Sequence, residues 1–358
     1  MSNRTSEEIS ARMSEQINAL QDVDFEEKAR QILSRKPLLS ANQVEVTFSL
    51  RGNKLTAIRR TSLDLYEGET LAIVGESGSG KSVFTKCFVG MLDKNGSITH
   101  GSIMYDGQDL VQLKEKDWLK IRGKKIAMVT QDPMTSLNPL KTIGYQIQES
   151  VELHQGLTGK AAREEVYRIL EDVGISDPKR RYKQYPHEFS GGMRQRVVIA
   201  IAVACHPQIL ICDEPTTALD VTIQAQVLDM MRDLKTKLDT SVILITHDFG
   251  VVADFCSSVA VAYAGEIIEH GSVDRIFNNP SHPYTQGLFN SLPSLETTAR
   301  RLKPIKGLMP DPSNLPEGCR FCDRCDYATE RCTKAAPEVT EIEPGHFVKC
   351  YRARGDEA

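Results

Sequence analysis

Eight residues constrain this chain more than any others. Gly75-Glu76-Ser77-Gly78-Ser79-Gly80-Lys81-Ser82 follows the apolar run Thr70-Leu71-Ala72-Ile73-Val74 and opens a helix-compatible stretch, Val83 to Leu92. A buried strand running into G-x-x-x-x-G-K-[ST] and then into a helix is the P-loop pattern. Its glycines let successive backbone N–H groups turn inward around phosphates, and the following helix adds the positive end of its dipole. Lys81 is then placed for the β- and γ-phosphates, and the Ser82 hydroxyl for Mg²⁺. A glycine-serine loop that ends in Lys-Ser by accident is the bland alternative. The strand required in front of it makes that alternative poor.

Such a unit belongs in an α/β domain, and the remaining chain divides into three zones. At 358 residues the chain exceeds one compact core, so two domains or a domain with appendages is expected. Residues 1–37 are polar, with Ile9, Met13, Ile17 and Leu20 at helical spacing, and read as an amphipathic extension. From 38 to 275, β-rich and helix-like stretches alternate. Gln208 to Cys212 and Ser241 to Thr246 are nearly unbroken apolar runs, the texture of parallel strands buried on both faces. Pro139 to Tyr185 reads mainly as helix. In residues 276–358, Pro280, Pro283, Pro293, Pro304, Pro310, Pro312 and Pro316 exclude long helices.

Two further motifs bear on chemistry. Ile209-Leu210-Ile211-Cys212-Asp213-Glu214 places two carboxylates at the C-terminal end of a buried strand, where parallel sheets bind ligands. Asp213 suits Mg²⁺ held through water. Glu214, facing the other way, suits a base that polarises a water attacking the γ-phosphate. Alone, an acidic strand end is commonplace; after a phosphate loop it becomes a site. The second motif, Phe189-Ser190-Gly191-Gly192-Met193-Arg194-Gln195-Arg196, opens a helix with Ser190 as N-cap. The alternative is a tight turn. Because the chain already owns one phosphate loop, this second anion site is best explained as serving a nucleotide held by another subunit.

Together these motifs resemble the ABC ATPase family, and the resemblance covers nearly all of residues 38–275. It implies a P-loop nucleotide-binding domain with a mixed sheet core, an inserted helical subdomain at about 132–190 and an antiparallel β part. In that comparison Gly75 to Ser82 and Val83 form the Walker A region, and Ile209 to Glu214 the Walker B. Ser190, Gly191 and Gly192 fall in the signature. That signature departs from the usual Leu-Ser-Gly-Gly-Gln at Phe189 and Met193 but keeps the phosphate-contacting residues. Gln131 matches the Q-loop glutamine that contacts Mg²⁺ and water. Ala218-Leu219-Asp220 matches the D-loop, and His247 the switch histidine that contacts the γ-phosphate. Phe48 matches the aromatic that stacks on adenine, with plain core packing as its rival. Catalysis is thereby expected of Glu214, His247, Lys81 and Gln131. Mg²⁺ is expected on Ser82, Gln131 and Asp213. ATP is expected on Phe48 and on the loop residues Gly75, Ser77, Gly78, Ser79, Gly80, Lys81, Ser82 and Val83.

The tail narrows the class. Asn279-Pro280-Ser281-His282-Pro283-Tyr284-Thr285 resembles the His-Pro-Tyr segment that begins the C-terminal extension of oligopeptide/dipeptide importer ATPases. Five of nine cysteines follow residue 318: Cys319, Cys322, Cys325, Cys332 and Cys350. Thiolates at such spacing suit zinc or an iron–sulfur cluster, and free reduced thiols remain an option. The resemblance implies a [4Fe–4S] cluster on Cys319, Cys325, Cys332 and Cys350, with Cys322 a substitute and Zn²⁺ the alternative. Cys87, Cys205, Cys212 and Cys256 read as small core residues.

Composition excludes other classes. A formal net charge of −4 leaves no electrostatic footprint for nucleic acid, and no apolar run is long enough to span a bilayer. The polar N-terminus has no signal-peptide core. The expectation is a peripheral subunit on the cytoplasmic face of the bacterial membrane. It would pair with a second homologous ATPase beneath two permease subunits, fed by an extracellular substrate-binding protein. The transported solute is expected to be a short peptide; nickel, glutathione or another small solute is the alternative within the subfamily. A soluble ABC ATPase acting outside transport is the rival from another class.

Overall fold

The computed structural model describes residues 36–217, 219–291 and 304–355, so the amphipathic stretch Ile9 to Leu20 lies outside the described residues. The chain enters through an antiparallel sheet of order β2-β1-β4-β5. There β1 spans Leu39–Leu50, β2 Asn53–Leu65, β4 Gly96–Tyr105 and β5 Gln108–Asp109. Between β2 and β4 the chain contributes β3 (Thr70–Val74) to a second, larger sheet. Its other strands are β6 (Ile126–Val129), β7 (Ile209–Asp213), β8 (Ser241–Ile245), β9 (Ser258–Tyr263), β10 (Glu266–Ser272), β11 (Thr340–Glu343) and β12 (His346–Val348).

The order of this sheet is β11-β12-β10-β9-β3-β8-β7-β6. Strands β9, β3, β8, β7 and β6 run parallel, whereas β10, β12 and β11 are antiparallel to their neighbours. Every residue of β3, β7, β8 and β9 is buried, as the unbroken apolar runs predict. Alternate side chains feed two cores because successive residues of a strand point to opposite faces. Ile209, Ile211, Ile243 and Ile245 pack towards the antiparallel sheet with Leu39, Val46, Phe84 and Phe88. Leu210, Cys212, Val242 and Leu244 pack against the helices on the other face.

Those helices include Ile143–Gln155, Gly159–Asp172 and Gly191–Val203. Thr142 caps the first by accepting from Tyr145 N at 3.3 Å, and Gly156 ends it in the left-handed region. Ile147, Val151, Val166 and Leu170 bring the buried faces of the first two together. One local expectation shortens. The helix after the phosphate loop stops at Cys87 instead of reaching Leu92. Gly90 there has φ 59°, and a Cβ on it would strike the Trp118 ring, so the chain must turn where the indole packs.

The tail is built into the sheet. Strand β12 pairs with β10, and beneath that pairing the fully buried Glu269 accepts from Ser281 N at 2.7 Å and His282 N at 3.0 Å. Its carboxylate also lies 2.9 Å from His346 Nε2. Burial alone would raise the Glu269 pKa, but the bonds from His346, Ser281 and His282 outweigh it and hold the group below the ordinary range. Glu269→Ala should cost about 3–5 kcal/mol by leaving buried donors unpaired. It should also make the tail the first segment cut in limited proteolysis. Because the folded pKa is depressed, this stabilisation is full above about pH 4.3 and is lost as pH falls through the folded value. Thermal melts of both proteins between neutral and acid pH check the sign.

Candidate active site

Four neighbouring parallel strands, β3, β8, β7 and β6, end at one edge of the sheet, and each delivers a predicted residue there. The phosphate loop follows β3, His247 follows β8, Asp213 closes β7 with Glu214 next, and Gln131 follows β6. A β-strand ending under the N-terminus of a helix is where phosphate is expected in such sheets.

Two glycines make the loop possible. Gly75 (φ 147°) leaves room for the Ala262 carbonyl, and Gly80 (φ 97°) passes against Ile58 and the Ala57 carbonyl. Side chains at either place would collide with backbone or core. Lys81 is 8% exposed, and its ammonium donates to Gly75 O at 2.8 Å and Glu76 O at 2.9 Å, with Ser79 Oγ at 3.5 Å. Burial lowers its pKa, while the carboxylates of Glu214, Asp213 and Glu76 pull the other way. Ser77 and Gly78 are exposed at the tip, Ser79 is buried, and Val83 packs on the core beneath.

Ser82 Oγ donates to Asp213 Oδ1 at 3.0 Å. Burial pushes the Asp213 carboxyl above its usual range; the Ser82 bond opposes this and neighbouring Glu214 adds to it. A buried carboxylate disfavoured in its charged form, beside a hydroxyl, is a donor set that a hard divalent cation would satisfy. The residues fit Mg²⁺.

Glu214 sits at φ 49°, a left-handed conformation uncommon for a residue with a side chain and found where surrounding structure enforces it. The enforcement is visible: Glu214 N donates to Ile245 O of β8 at 2.9 Å. Its Oε2 accepts from Gln131 Nε2 at 2.8 Å and Thr217 Oγ1 at 3.0 Å, and Oε1 lies 3.5 Å from His247 Nδ1. Gln131, Glu214 and His247, far apart in sequence, thus meet at one carboxylate.

Other predicted residues lie elsewhere. Ser190 is exposed and caps the helix Gly191–Val203, accepting from Met193 N at 3.4 Å. Among the described residues no hydrogen bond or ion pair joins it to the phosphate loop. Gly191 is exposed, and Gly192 closes against Ile223. Asp220 caps the helix Val221–Leu238, whereas Ala218 lies outside the described residues. Phe48, on β1, is half-buried, with its ring across Gly96.

All five tail cysteines line one cavity of about 500 Å³, shared with His282, Phe321 and Tyr351. They are not disulfide-bonded, and burial raises the Cys319 thiol to about 12 and Cys322 to about 11. Among the described residues no three His, Cys, Asp or Glu side chains lie close enough to hold a metal ion as they stand. The cavity gathers the thiols without presenting a formed site. Cys87 and Cys212 are core residues as expected, and Cys205 and Cys256 pack partly buried at its margin.

Two contacts were not anticipated. Glu76 N donates to Tyr284 Oη at 2.9 Å, and the Glu76 carboxylate is forked by Arg324, Nη1 to Oε2 at 2.7 Å and Nη2 to Oε1 at 3.0 Å. Tyr284 carried a signal in its His-Pro-Tyr motif; Arg324 carried none.

Comparison with known proteins places the family and the fold. The family profile described as ABC transporter matches residues 58–217, and that described as oligopeptide/dipeptide transporter, C-terminal region, matches residues 268–332. The chain is 51% identical over 320 residues to the oligopeptide transport ATP-binding protein AmiE of Streptococcus pneumoniae, covering 89% of this chain and 90% of that protein. It is 49% identical over 315 residues to the dipeptide transport ATP-binding protein DppD of Bacillus subtilis, covering 88% and 94%. Among solved structures, the dimeric ATP-binding cassette MJ0796 in a post-hydrolysis state with ADP and Pi matches with a TM-score of 0.59 and 27% identity. That match covers 66% of this chain and 98% of the other.

Gly75→Ala should weaken binding of a fluorescent ATP analogue by about tenfold or more, since strain at such a position costs about 1–3 kcal/mol. Titration of folded protein, verified by circular dichroism, checks it.

Proposed function

The chain belongs to the ABC transporter family, in its oligopeptide/dipeptide branch, and from that premise we propose how it hydrolyses ATP to power import of short peptides. The observation that carries the reading is the meeting of Gln131 and His247 at Glu214, beside the Ser82–Asp213 pair.

ATP enters with its triphosphate under the loop Gly75, Ser77, Gly78, Ser79, Gly80 and Lys81, at the head of the helix that contains Val83. Lys81 exchanges the carbonyls of Gly75 and Glu76 for β- and γ-phosphate oxygens, at little cost because one set of acceptors replaces another. Ser82, Gln131 and Asp213 would hold Mg²⁺, and the ion, when bound, would neutralise charge on the phosphates. Glu214 orients and deprotonates the attacking water, and Gln131 with Thr217 fixes its carboxylate. His247, 62% exposed at its side chain, is free to turn to the γ-phosphate. Phe48, half-buried on β1, is the residue proposed to stack on adenine.

Ser190, Gly191 and Gly192 serve the nucleotide held by the other subunit. The exposure of Ser190 and Gly191 supports this, as does the dimeric state of the MJ0796 neighbour. The partner is a second, homologous ATPase, and the pair sits on two integral-membrane permease subunits supplied by an extracellular substrate-binding protein. No described helix is long and apolar enough to cross a membrane. By its likeness to transport ATP-binding proteins, the place proposed for the subunit is peripheral, at the cytoplasmic face.

In the tail, Cys319, Cys325, Cys332 and Cys350 are proposed to hold a [4Fe–4S] cluster, with Cys322 a substitute ligand and Zn²⁺ the alternative occupant. Support comes from the five thiols around one cavity. Bound there, the group would cross-link parts of the tail that are distant in sequence.

Glu214→Gln keeps the hydrogen-bonding shape and removes the base. In the assembled transporter it should bind ATP, accumulate as a closed dimer and lose turnover by about 100-fold or more. Normal phosphate release by that variant would overturn the assignment. Anaerobically purified protein should be brown and contain iron and sulfide; a colourless sample with stoichiometric zinc would reject the cluster.

A further inference from the structure

We infer that Arg324 is a positioning residue for the phosphate loop, and that through it the cysteine-bearing segment of the tail sets how tightly the chain holds ATP. The inference rests on the ATP-site reading above and goes beyond it.

Glu76 is the second residue of the phosphate loop, and it is held from three directions. Its carbonyl accepts from Lys81, its N–H donates to Tyr284, and its carboxylate receives the Arg324 fork. The last two partners belong to the tail, 208 and 248 residues away. Parallel double donation fixes direction as well as distance, which a lysine in this place would not do. The guanidinium is itself pinned from behind. Arg324 Nε donates to Lys306 O at 2.8 Å, and the group lies over the rings of Tyr263 and Phe321. Its side chain is 6% exposed, against 32% for Glu76, so the pair is screened mainly from the tail side.

Arg324 is also the last residue of the one-turn helix Cys322–Arg324, immediately before Cys325. Both flanking cysteines line the thiol cavity. Ligation or oxidation that shifts this turn would pull on a guanidinium already fixed at Nε, Nη1 and Nη2. The strain then passes to Glu76, whose carbonyl is one of the two that Lys81 leaves when phosphate arrives. Without the clamp, the loop entrance gains conformations that nucleotide binding must remove, and affinity falls. Coupling of this kind is reciprocal: if the tail strengthens ATP binding, ATP must steady the tail.

Full-length Arg324→Ala and Glu76→Ala should each weaken binding of a fluorescent ATP analogue by about tenfold. The double variant should be no weaker than the poorer single one, and Arg324→Lys should recover part of the loss. In the unaltered chain, a slowly hydrolysed ATP analogue should slow amide hydrogen exchange in residues 319–332, and Glu76→Ala should abolish that protection. Should Arg324→Ala fail to fold, Glu76→Ala and the exchange measurement on unaltered protein carry the test. Unchanged affinity in folded variants, additive losses in the double variant, or exchange indifferent to nucleotide would overturn the inference. If unaltered protein bound no ATP while Lys81→Ala behaved identically, the ATP-site reading would fail instead.

Discussion

Everything at the active edge depends on the register of four parallel strands. The pairs Ile73↔Ile245, Asp213↔Ile245 and Val129↔Cys212 bring the ends of β3, β8, β7 and β6 level. A slip of one residue in any of them would send its core side chains to the wrong face. Here both faces are packed by different clusters, so each strand is held in place from two sides. Gln131, Glu214 and His247, the residues proposed for catalysis, can therefore be set around one carboxylate only one or two residues past rigid strand ends.

That rigidity allows the site to store unfavourable features. Glu214 occupies a left-handed backbone conformation, Asp213 is a carboxylate that burial disfavours, and Lys81 is an ammonium drawn out of water. Each is compensated locally by a backbone carbonyl, a hydroxyl or a neighbouring amide. Substrate and metal would replace those stand-ins with stronger partners of matching charge.

The placement of the candidate site residues was legible in the sequence because they sit in contiguous motifs attached to strands of unmistakable texture. Thr70 to Val74 is a strand residue for residue as expected, and Asp213 and Glu214 fall where an acidic strand end should. The short helix after the loop was misjudged, since Gly90 closes it in a left-handed turn, with Met91 N donating to Lys86 O at 2.9 Å, and that glycine stop was passed over. Arg324 was unreadable for a different reason. Its partner lies at the other end of the domain, and an arginine among cysteines looks like any surface cation. The tail's pairing with the sheet was hidden too, because β11 and β12 are only four and three residues long and β11 is mostly polar.

That pairing has a consequence for solubility. Without β12, strand β10 would be the open margin of the large sheet, offering a row of unpaired backbone donors and acceptors to any passing chain. The margin actually presented is β11, four residues long, with exposed Glu341 and Glu343 at alternate positions. So brief a strand, carrying Glu341 and a Glu343 that is paired with Arg275, makes a poor template for adding another. The tail thus ends the sheet in a form that resists stacking between molecules, a service owed entirely to residues beyond the nucleotide-binding motifs.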